Sequence, residues 1–299
     1  MVSPEVGLGQ ATTGRDTDGG AGRPLEPLTT VAVEQSPGSL HPTPKPIRAL
    51  VRYEFPFNES IRTMLRLEYL FDRLGELIVR DPAVDHHYAL STLFEIMDVA
   101  ARADLKSDLL KDLERQRLRL NGYRGNPAVA PVVLDEVIGR VDAAFGALNQ
   151  TPGKAGAALS ANEWLMSIRS RISIPGGTCG FDLPAYYAWQ QFDAQRRRSD
   201  LLRWSMTLMP LADALRLLLV LLRDSGTPRE VVAAAGVYQQ SLPAGRTCQL
   251  LRLRLRQTPD LVPEISGHRL MVSVRLMQQD TEGRLKPSGV DSPIELTLC

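Results

Sequence analysis

The sequence predicts an α+β fold in which a helical body is followed by a smaller, mostly antiparallel β-sheet domain. Apolar residues recur every three or four positions through most of residues 57–224, which is typical of helices packed on a core. After Gly226 the apolar period changes to strict alternation, which is typical of strands. Because the helices precede the strands and are not interleaved with them, a doubly wound nucleotide-binding fold is not expected.

The elements follow from the chain in order. Residues 1–46 are rich in Gly, Pro, Thr and Ser and lack an apolar period, which predicts a disordered N-terminal tail. A strand at 47–56 should join the β domain, and Asn58 is a candidate N-cap for the helix after it. Within a helical domain at 57–226 we expect helices near 58–78, 87–101, 104–120, 131–149, 160–172, 184–192 and 194–224.

The last part of the chain, 227–299, should form the β-rich domain. Strands are expected near 231–240, 247–257, 267–278 and 292–298. The clearest alternation is at 250–256, where Leu251, Leu253 and Leu255 share one face and Arg252, Arg254 and Arg256 share the other.

A second alternating segment sends Arg269 and Arg275 to one face, and His268 lies at its start. If the two strands share a sheet, their arginines form a cationic patch. Such a patch suits an acidic partner, because guanidinium binds carboxylate or phosphate through a planar fork of two donors. The alternative is an ordinary solvated face of an antiparallel sheet.

Composition limits the classes of function. With 299 residues, 43% hydrophobic and 23% charged, the chain can form one large domain or two modest ones. The alternative function for the arginine-faced sheet is binding of nucleic acid. The formal charge of +1 argues against this alternative, as does the lack of aromatic residues among the arginines. Three scattered cysteines favour a reducing cytoplasm. No secretory signal is expected, since the N-terminus has no charged start followed by an apolar core. Direct membrane insertion is not expected either, since the apolar stretch 211–222 is too short to span a bilayer.

No cofactor or metal ion is expected. The sequence has no phosphate-binding Gly-x-x-x-x-Gly-Lys-Ser/Thr loop. The adjacent Asp85, His86 and His87 should diverge from one another on a helix or turn and so should not hold one ion together.

The sequence offers one candidate catalytic arrangement, with a cysteine as the nucleophile. Cys179 lies in Ser-Ile-Pro-Gly-Gly-Thr-Cys-Gly-Phe-Asp-Leu-Pro, where neighbouring glycines offer backbone N–H groups, with His268 as a base and Asp182 as its orienting group. The same residues also make an ordinary turn between helices with Cys179 as a small buried apolar side chain, and this interpretation is favoured. An enzyme is therefore not expected.

Several segments resemble the ZapD family, the Z-ring-associated cell division factors of proteobacteria. They include the Ile-Ser-Gly-His turn at 265–268 and the Cys179 segment quoted above. The resemblance runs in order through about 50–299 and rests on residues 53–68, 108–114, 173–184, 265–268 and 274–277.

The resemblance implies a cytoplasmic homodimer, located at the mid-cell division ring, whose helical domain carries the dimer contact. Members bind the C-terminal tail of the tubulin-like protein FtsZ, bundle its filaments and lower its GTPase activity, with no catalysis of their own. The resemblance places the basic binding surface on Arg66, Arg102 and Arg275, with His268 and Arg269 beside them. Met271, Glu163 and Tyr187 stand where relatives are basic, and Arg252 and Arg254 are candidates to compensate. The predicted site for the partner peptide thus comprises Arg66, Arg102, Arg252, Arg254, His268, Arg269 and Arg275.

Overall fold

The structure is a computed structural model, and it describes residues 50–101, 105–242, 245, 247–256, 261–268 and 270–299. All of them belong to a compact unit that spans Ile47–Cys299. Helices dominate the first part and antiparallel strands the last, so the α+β fold class is confirmed. Arg102 and Arg269 of the predicted site, and the N-terminal residues 1–49, lie outside the described residues.

The helical body buries a continuous apolar core to which leucines from most of its helices contribute. Its helices are α1 (Glu59–Ile78), α2 (Ala83–Ala100), α3 (Leu105–Asn121), α4 (Pro131–Gln150), α5 (Ala157–Ser160), α6 (Glu163–Ile172), α7 (Pro184–Gln190), α8 (Ala194–Met206) and α9 (Met209–Arg223).

Helix α1 begins where the sequence predicts it. The Asn58 side chain accepts a hydrogen bond from the backbone N–H of Ile61 at 2.9 Å, so it satisfies one of the free donors at the helix start. Helix α2 returns antiparallel to α1, since Arg73 of α1 donates to Thr92 and pairs with Glu95 of α2. The start of α1 and the end of α2 therefore lie at the same end of this helical pair.

The single long helix expected at 194–224 is wrong, because the chain bends there by 66° between α8 and α9. Pro210 occupies the first turn of α9, where its missing N–H costs no hydrogen bond; inside a continuous helix it would remove one. No single helix among the described residues is long and apolar enough to cross a membrane, although α8 and α9 taken together pass that test by length and composition. Most of the leucines of α9 are buried in the core of the helical body.

The strands form two four-stranded antiparallel sheets. Sheet A has the order β1-β4-β8-β2, and sheet B has the order β3-β6-β5 with β7 also paired to β6. The strands are β1 (Leu50–Pro56), β2 (Arg229–Ala233), β3 (Val237–Ser241), β4 (Leu250–Arg256), β5 (Leu261–Gly267), β6 (Met271–Gln279), β7 (Leu285–Pro287) and β8 (Ser292–Leu298).

The two sheets share one apolar core. Leu251, Leu253 and Leu255 of β4 contribute to it from sheet A, and alternate residues of β6, from Val272 to Leu276, contribute from sheet B. The strands β4 and β6 therefore lie in different sheets, and the condition for a single cationic patch is not met. Because the apolar faces of both strands meet in the core, their arginines lie on opposite outer faces of the sandwich.

Two further expectations about strands need correction. The strand expected at 231–240 is two strands, β2 in sheet A and β3 in sheet B, because Ala235 and Gly236 adopt positive φ angles of 47° and 77° and turn the chain from one sheet into the other. The expected strand 267–278 begins later, at Met271, and a separate strand β5 precedes it. Pro263 argues against a strand at that point, but β5 is an edge strand, where a missing N–H is tolerated.

Candidate functional site

Arg252 belongs to a network of charges between the two parts of the fold. Its Nε lies 3.1 Å from the Glu54 carboxylate, which also accepts from Arg223 at the end of α9. Arg223 bonds to Glu68 of α1 at 2.6 Å as well, and all four side chains are less than one-fifth exposed. The hydrogen bonds to Glu68, then those to Glu54, raise the pKa of Arg223 against the opposing effect of burial. Arg252 thus joins sheet A to the helical body.

Arg254 lies on the same face of β4 as Arg252. It donates to Glu295 of β8, its direct neighbour across the ladder, at 3.0 Å. On its other side it faces Arg52 of β1, which is exposed. Sequence alternation at 47–55 places Arg52 on a strand, but only the β1–β4 register shows that it stands beside Arg254.

Arg275 lies on the outer face of sheet B, and its side chain is 62% exposed. Its direct cross-strand neighbours are Val237 of β3 and Glu264 of β5. Met277 and Met271 lie two and four residues away on the same strand and so point to the same face. The surface around this guanidinium group therefore combines one cation with several exposed or half-buried apolar side chains.

The Ile-Ser-Gly-His segment, predicted as a turn, is the end of β5 followed by His268, and it packs beside the residues that precede α1. A Cβ added to Gly267 would lie 2.6 Å from Cε1 of Phe57 and 3.1 Å from Cε1 of Phe55, so only glycine permits this close approach. The rings of Phe55 and Phe57 pack edge to face, with centroids 5.6 Å apart. His268 follows Gly267, is exposed, and accepts from the Leu270 backbone N–H at 3.3 Å. This packing holds His268 close to the residues that begin α1.

Arg66 lies in the first two turns of α1 and is 53% exposed. Its guanidinium group is 3.5 Å from Glu59, which also pairs with Arg62 at 3.2 Å. Arg62 is not among the binding residues predicted from the sequence, although the spacing of 59, 62 and 66 places all three charged residues on one helix face. The structure thus brings Arg66 and His268 to neighbouring elements, keeps Arg275 on the adjoining sheet B, and turns Arg252 and Arg254 toward other partners.

Comparison with known proteins gives a consistent family assignment. A sequence model of the family ZapD, described as a cell division protein, matches residues 65–275. The "Cell division protein ZapD" of Ralstonia pickettii (strain 12J) is 53% identical over 251 residues, which cover 84% of this chain and 99% of that protein. The chain belongs to the ZapD family. Another relative of the same name, from Ralstonia nicotianae (strain ATCC BAA-1114 / GMI1000), is 52% identical over 251 residues, again 84% of this chain and 99% of the relative.

The ZapD-family match includes Arg66 at one end and Arg275 at the other. It also covers residues 108–114, of which Asp108, Lys111 and Asp112 line a cleft beside α1. Two adjoining cavities of about 290 and 350 Å³ share Ile61, Asp112 and Arg115. Burial raises the pKa of the Asp112 carboxyl, although the Arg115 guanidinium opposes the shift. The predicted peptide-binding arginines that the structure describes, Arg66, Arg252, Arg254 and Arg275, do not line this cleft.

The structure gives no geometric support to Cys179 as a nucleophile in this member of the ZapD family. Cys179 is exposed in the turn before α7, so the expectation of a buried side chain is wrong, and among the described residues no hydrogen bond joins its thiol to His268. Asp182 pairs with Arg171 at 3.3 Å and does not orient a histidine. His86 and His87 diverge as expected, since His86 contacts Arg197 and His87 contacts the Tyr186 hydroxyl.

Proposed function

We propose that the protein is a cell division factor that binds the C-terminal tail of FtsZ and, as a homodimer, cross-links FtsZ filaments. Bundling promotes assembly of the Z-ring at mid-cell in the cytoplasm and lowers the GTPase activity of FtsZ. The observation that carries the proposal is the exposed guanidinium of Arg275 among apolar side chains, in a chain 53% identical to a protein named for cell division.

The chemistry of the surface suits an acidic, partly apolar peptide. An arginine can hold a carboxylate through two parallel hydrogen bonds, and Val237, Met271 and Met277 offer apolar contact around it. Arg66 and His268 extend the surface toward α1, and Arg102 and Arg269 remain contacts proposed from the sequence. Arg252 and Arg254 are left out of this set because they lie in the other sheet, and the Arg252 side chain is only 15% exposed.

A dimer explains how tail binding produces bundles. With the dimer contact in the helical domain, 57–226, each protomer keeps its own tail site, so one dimer can hold two filaments. Individual contacts can be weak, because a filament presents many tails and linked binding events multiply the overall affinity.

Co-sedimentation tests both whether FtsZ is the partner and whether its C-terminal tail is the segment that is bound. The protein should pellet with assembled FtsZ from Ralstonia pickettii and should stay in the supernatant with FtsZ that lacks about its last dozen residues. The truncated FtsZ must still assemble when tested alone. Equal pelleting with both forms of FtsZ would exclude the tail as the binding site.

Reversal of one charge tests the surface itself. Arg275→Glu should weaken binding of a labelled tail peptide by about tenfold or more, since the new carboxylate repels an acidic ligand and lies beside Glu264. Fluorescence anisotropy gives the affinity, and sedimentation equilibrium should show an unchanged oligomeric state. Arg52→Glu is the matched control, because Arg52 is an exposed strand arginine on the other sheet. Similar losses in both variants would point to a general effect of net charge and against a site at Arg275.

A further inference from the structure

The arginine at the centre of the proposed site already has a carboxylate partner within the chain. Arg275 Nη2 lies 2.6 Å from Glu264 Oε2, and the two residues are direct neighbours in the β5–β6 register. The backbone pairing itself therefore keeps both side chains on one face, a few ångströms apart. We propose that Glu264 is an internal competitor that occupies Arg275 until a carboxylate of the bound peptide replaces it. This inference rests on the proposed function and assigns Glu264 a role in setting its affinity.

Exposure makes the exchange feasible. The side chains of Arg275 and Glu264 are 62% and 51% exposed, so water solvates both partners, and such surface pairs contribute little to stability. A released Glu264 carboxylate returns to water without a large desolvation cost. Arg252 differs in this respect. Its side chain is only 15% exposed, and its release would leave the largely buried Glu54 carboxylate without this partner.

The exchange has a consequence for selectivity. A ligand must offer a group that binds guanidinium at least as well as Glu264 does, so a neutral peptide gains nothing from displacing it. A peptide carboxylate meets the requirement, but the net gain for each contact is small because one ion pair replaces another. A single site is therefore weak, and firm attachment requires a polymer that presents many tails.

Glu59 holds an equivalent position next to Arg62 and Arg66. It also lies in the first turn of α1, where a negative charge stabilises the helix. Removal of Glu59 would thus change the helix as well as the arginines. Glu264, on an edge strand, is the cleaner residue to test.

The test is Glu264→Gln, which keeps the shape of the side chain and removes its charge. A fluorescein-labelled peptide of about the last dozen residues of FtsZ should bind this variant about two- to fivefold more tightly than the parent, by fluorescence anisotropy. Glu282→Gln is the matched control, because Glu282 is also exposed and paired with an arginine, Arg284, in the turn after β6. It changes net charge equally and should leave the affinity close to that of the parent.

A double-mutant cycle assigns the gain to Arg275. In an Arg275→Ala background, Glu264→Gln should no longer improve binding, because there is no guanidinium group left to release. A gain that persists in that background, an equal gain from Glu282→Gln, or no gain from Glu264→Gln when the parent binds the FtsZ peptide would each overturn the proposal.

A second probe separates this proposal from the proposed function. A labelled hexaglutamate peptide, titrated against the same variants, reports whether Glu264 competes for Arg275 with any acidic ligand. If hexaglutamate shows the gain while every variant fails to bind the FtsZ peptide, the FtsZ assignment fails and the competitor role stands. If the parent binds the FtsZ peptide and neither probe shows the gain, the competitor role fails alone.

Discussion

At the scale of single residues, Arg197 is the most deeply buried arginine or lysine among the described residues of the helical body. It is 6% exposed and donates to the backbone oxygens of Asp81, Gln190 and Phe192 as well as to Nδ1 of His86. Since Nδ1 accepts this bond and Nε2 faces the Ile78 oxygen at 3.4 Å, His86 is neutral with its proton on Nε2. The guanidinium group is thus satisfied by neutral acceptors and by a histidine that must stay uncharged.

This arrangement predicts a stability that depends on pH. Burial, and then the charge of Arg197, lower the pKa of His86 below 6.5, and burial also lowers that of His87. The unfolded chain therefore binds protons that the folded chain refuses, so the free energy of unfolding should fall as pH drops below about 6.5. The slope for each histidine is at most about 1.4 kcal/mol per pH unit, the limit for uptake of one proton.

Urea unfolding between pH 7.5 and 5.5 measures this slope. The three tryptophans of the chain are suitable reporters, because Trp164, Trp189 and Trp204 pack against one another in the helical body. A stability that stays level or rises as the pH falls through this range would contradict a neutral His86.

At the scale of elements, the main feature is the junction between sheet A and the helical body. Strand β1 supplies Glu54, β4 supplies Arg252, α1 supplies Glu68 and α9 supplies Arg223. Two cations and two anions balance one another where little water reaches them. Each element carries one charge whose partner comes from another part of the chain, so the network forms only when the helices and the sheet meet.

Removal of one charge should therefore be costly at this junction. Arg223→Met leaves Glu68 without its cation and Glu54 with Arg252 alone, and we expect a loss of about 3 kcal/mol or more in the free energy of unfolding. Arg216→Met is the control on the same helix, since Arg216 pairs with Asp72 at a more exposed position, and it should cost less than about 1 kcal/mol. Urea titration compares the two, and equal losses would show that the junction adds no special stability.

The elements also show where pattern reading succeeds. The stripe of apolar residues at 131–149 predicts α4 to within a residue, and Asn58 is the N-cap that its position suggests. Breaks are harder to predict. The α8–α9 bend and the Ala235–Gly236 turn interrupt apolar patterns that continue on both sides, because a core can accept apolar residues from either side of a bend.

At the scale of the whole molecule, charge is distributed so that local surfaces matter more than the total. The formal net charge is +1, yet the outer face of sheet B and the start of α1 each expose arginines. The proposed attraction between an acidic tail and these surfaces is screened by dissolved ions. The Debye length, which sets the range of such attraction, falls from about 10 Å at 0.1 M salt to about 3 Å at 1 M.

Bundling of FtsZ should accordingly decline as salt rises. The amount of filament bundles sedimented at low speed should fall steadily between about 0.1 M and 1 M salt. FtsZ without the protein, sedimented at high speed under each condition, corrects for salt effects on filament assembly itself. Bundling that is undiminished at the highest salt, while assembly is unchanged, would count against charge-led recognition.

The sequence by itself determined the α+β class, most helices, the alternation of leucine and arginine in β4 and the resemblance to the ZapD family, because these depend on local periodicity and on motifs. Only the tertiary structure decided which arginines are available. The sequence shows that Arg252, Arg254 and Arg275 each lie on a polar face, but not that β4 and β6 lie in opposite sheets. Which distant strands pair depends on how the whole chain packs its core, and this pairing decides which carboxylate lies beside each arginine. No local sequence pattern encodes such pairing.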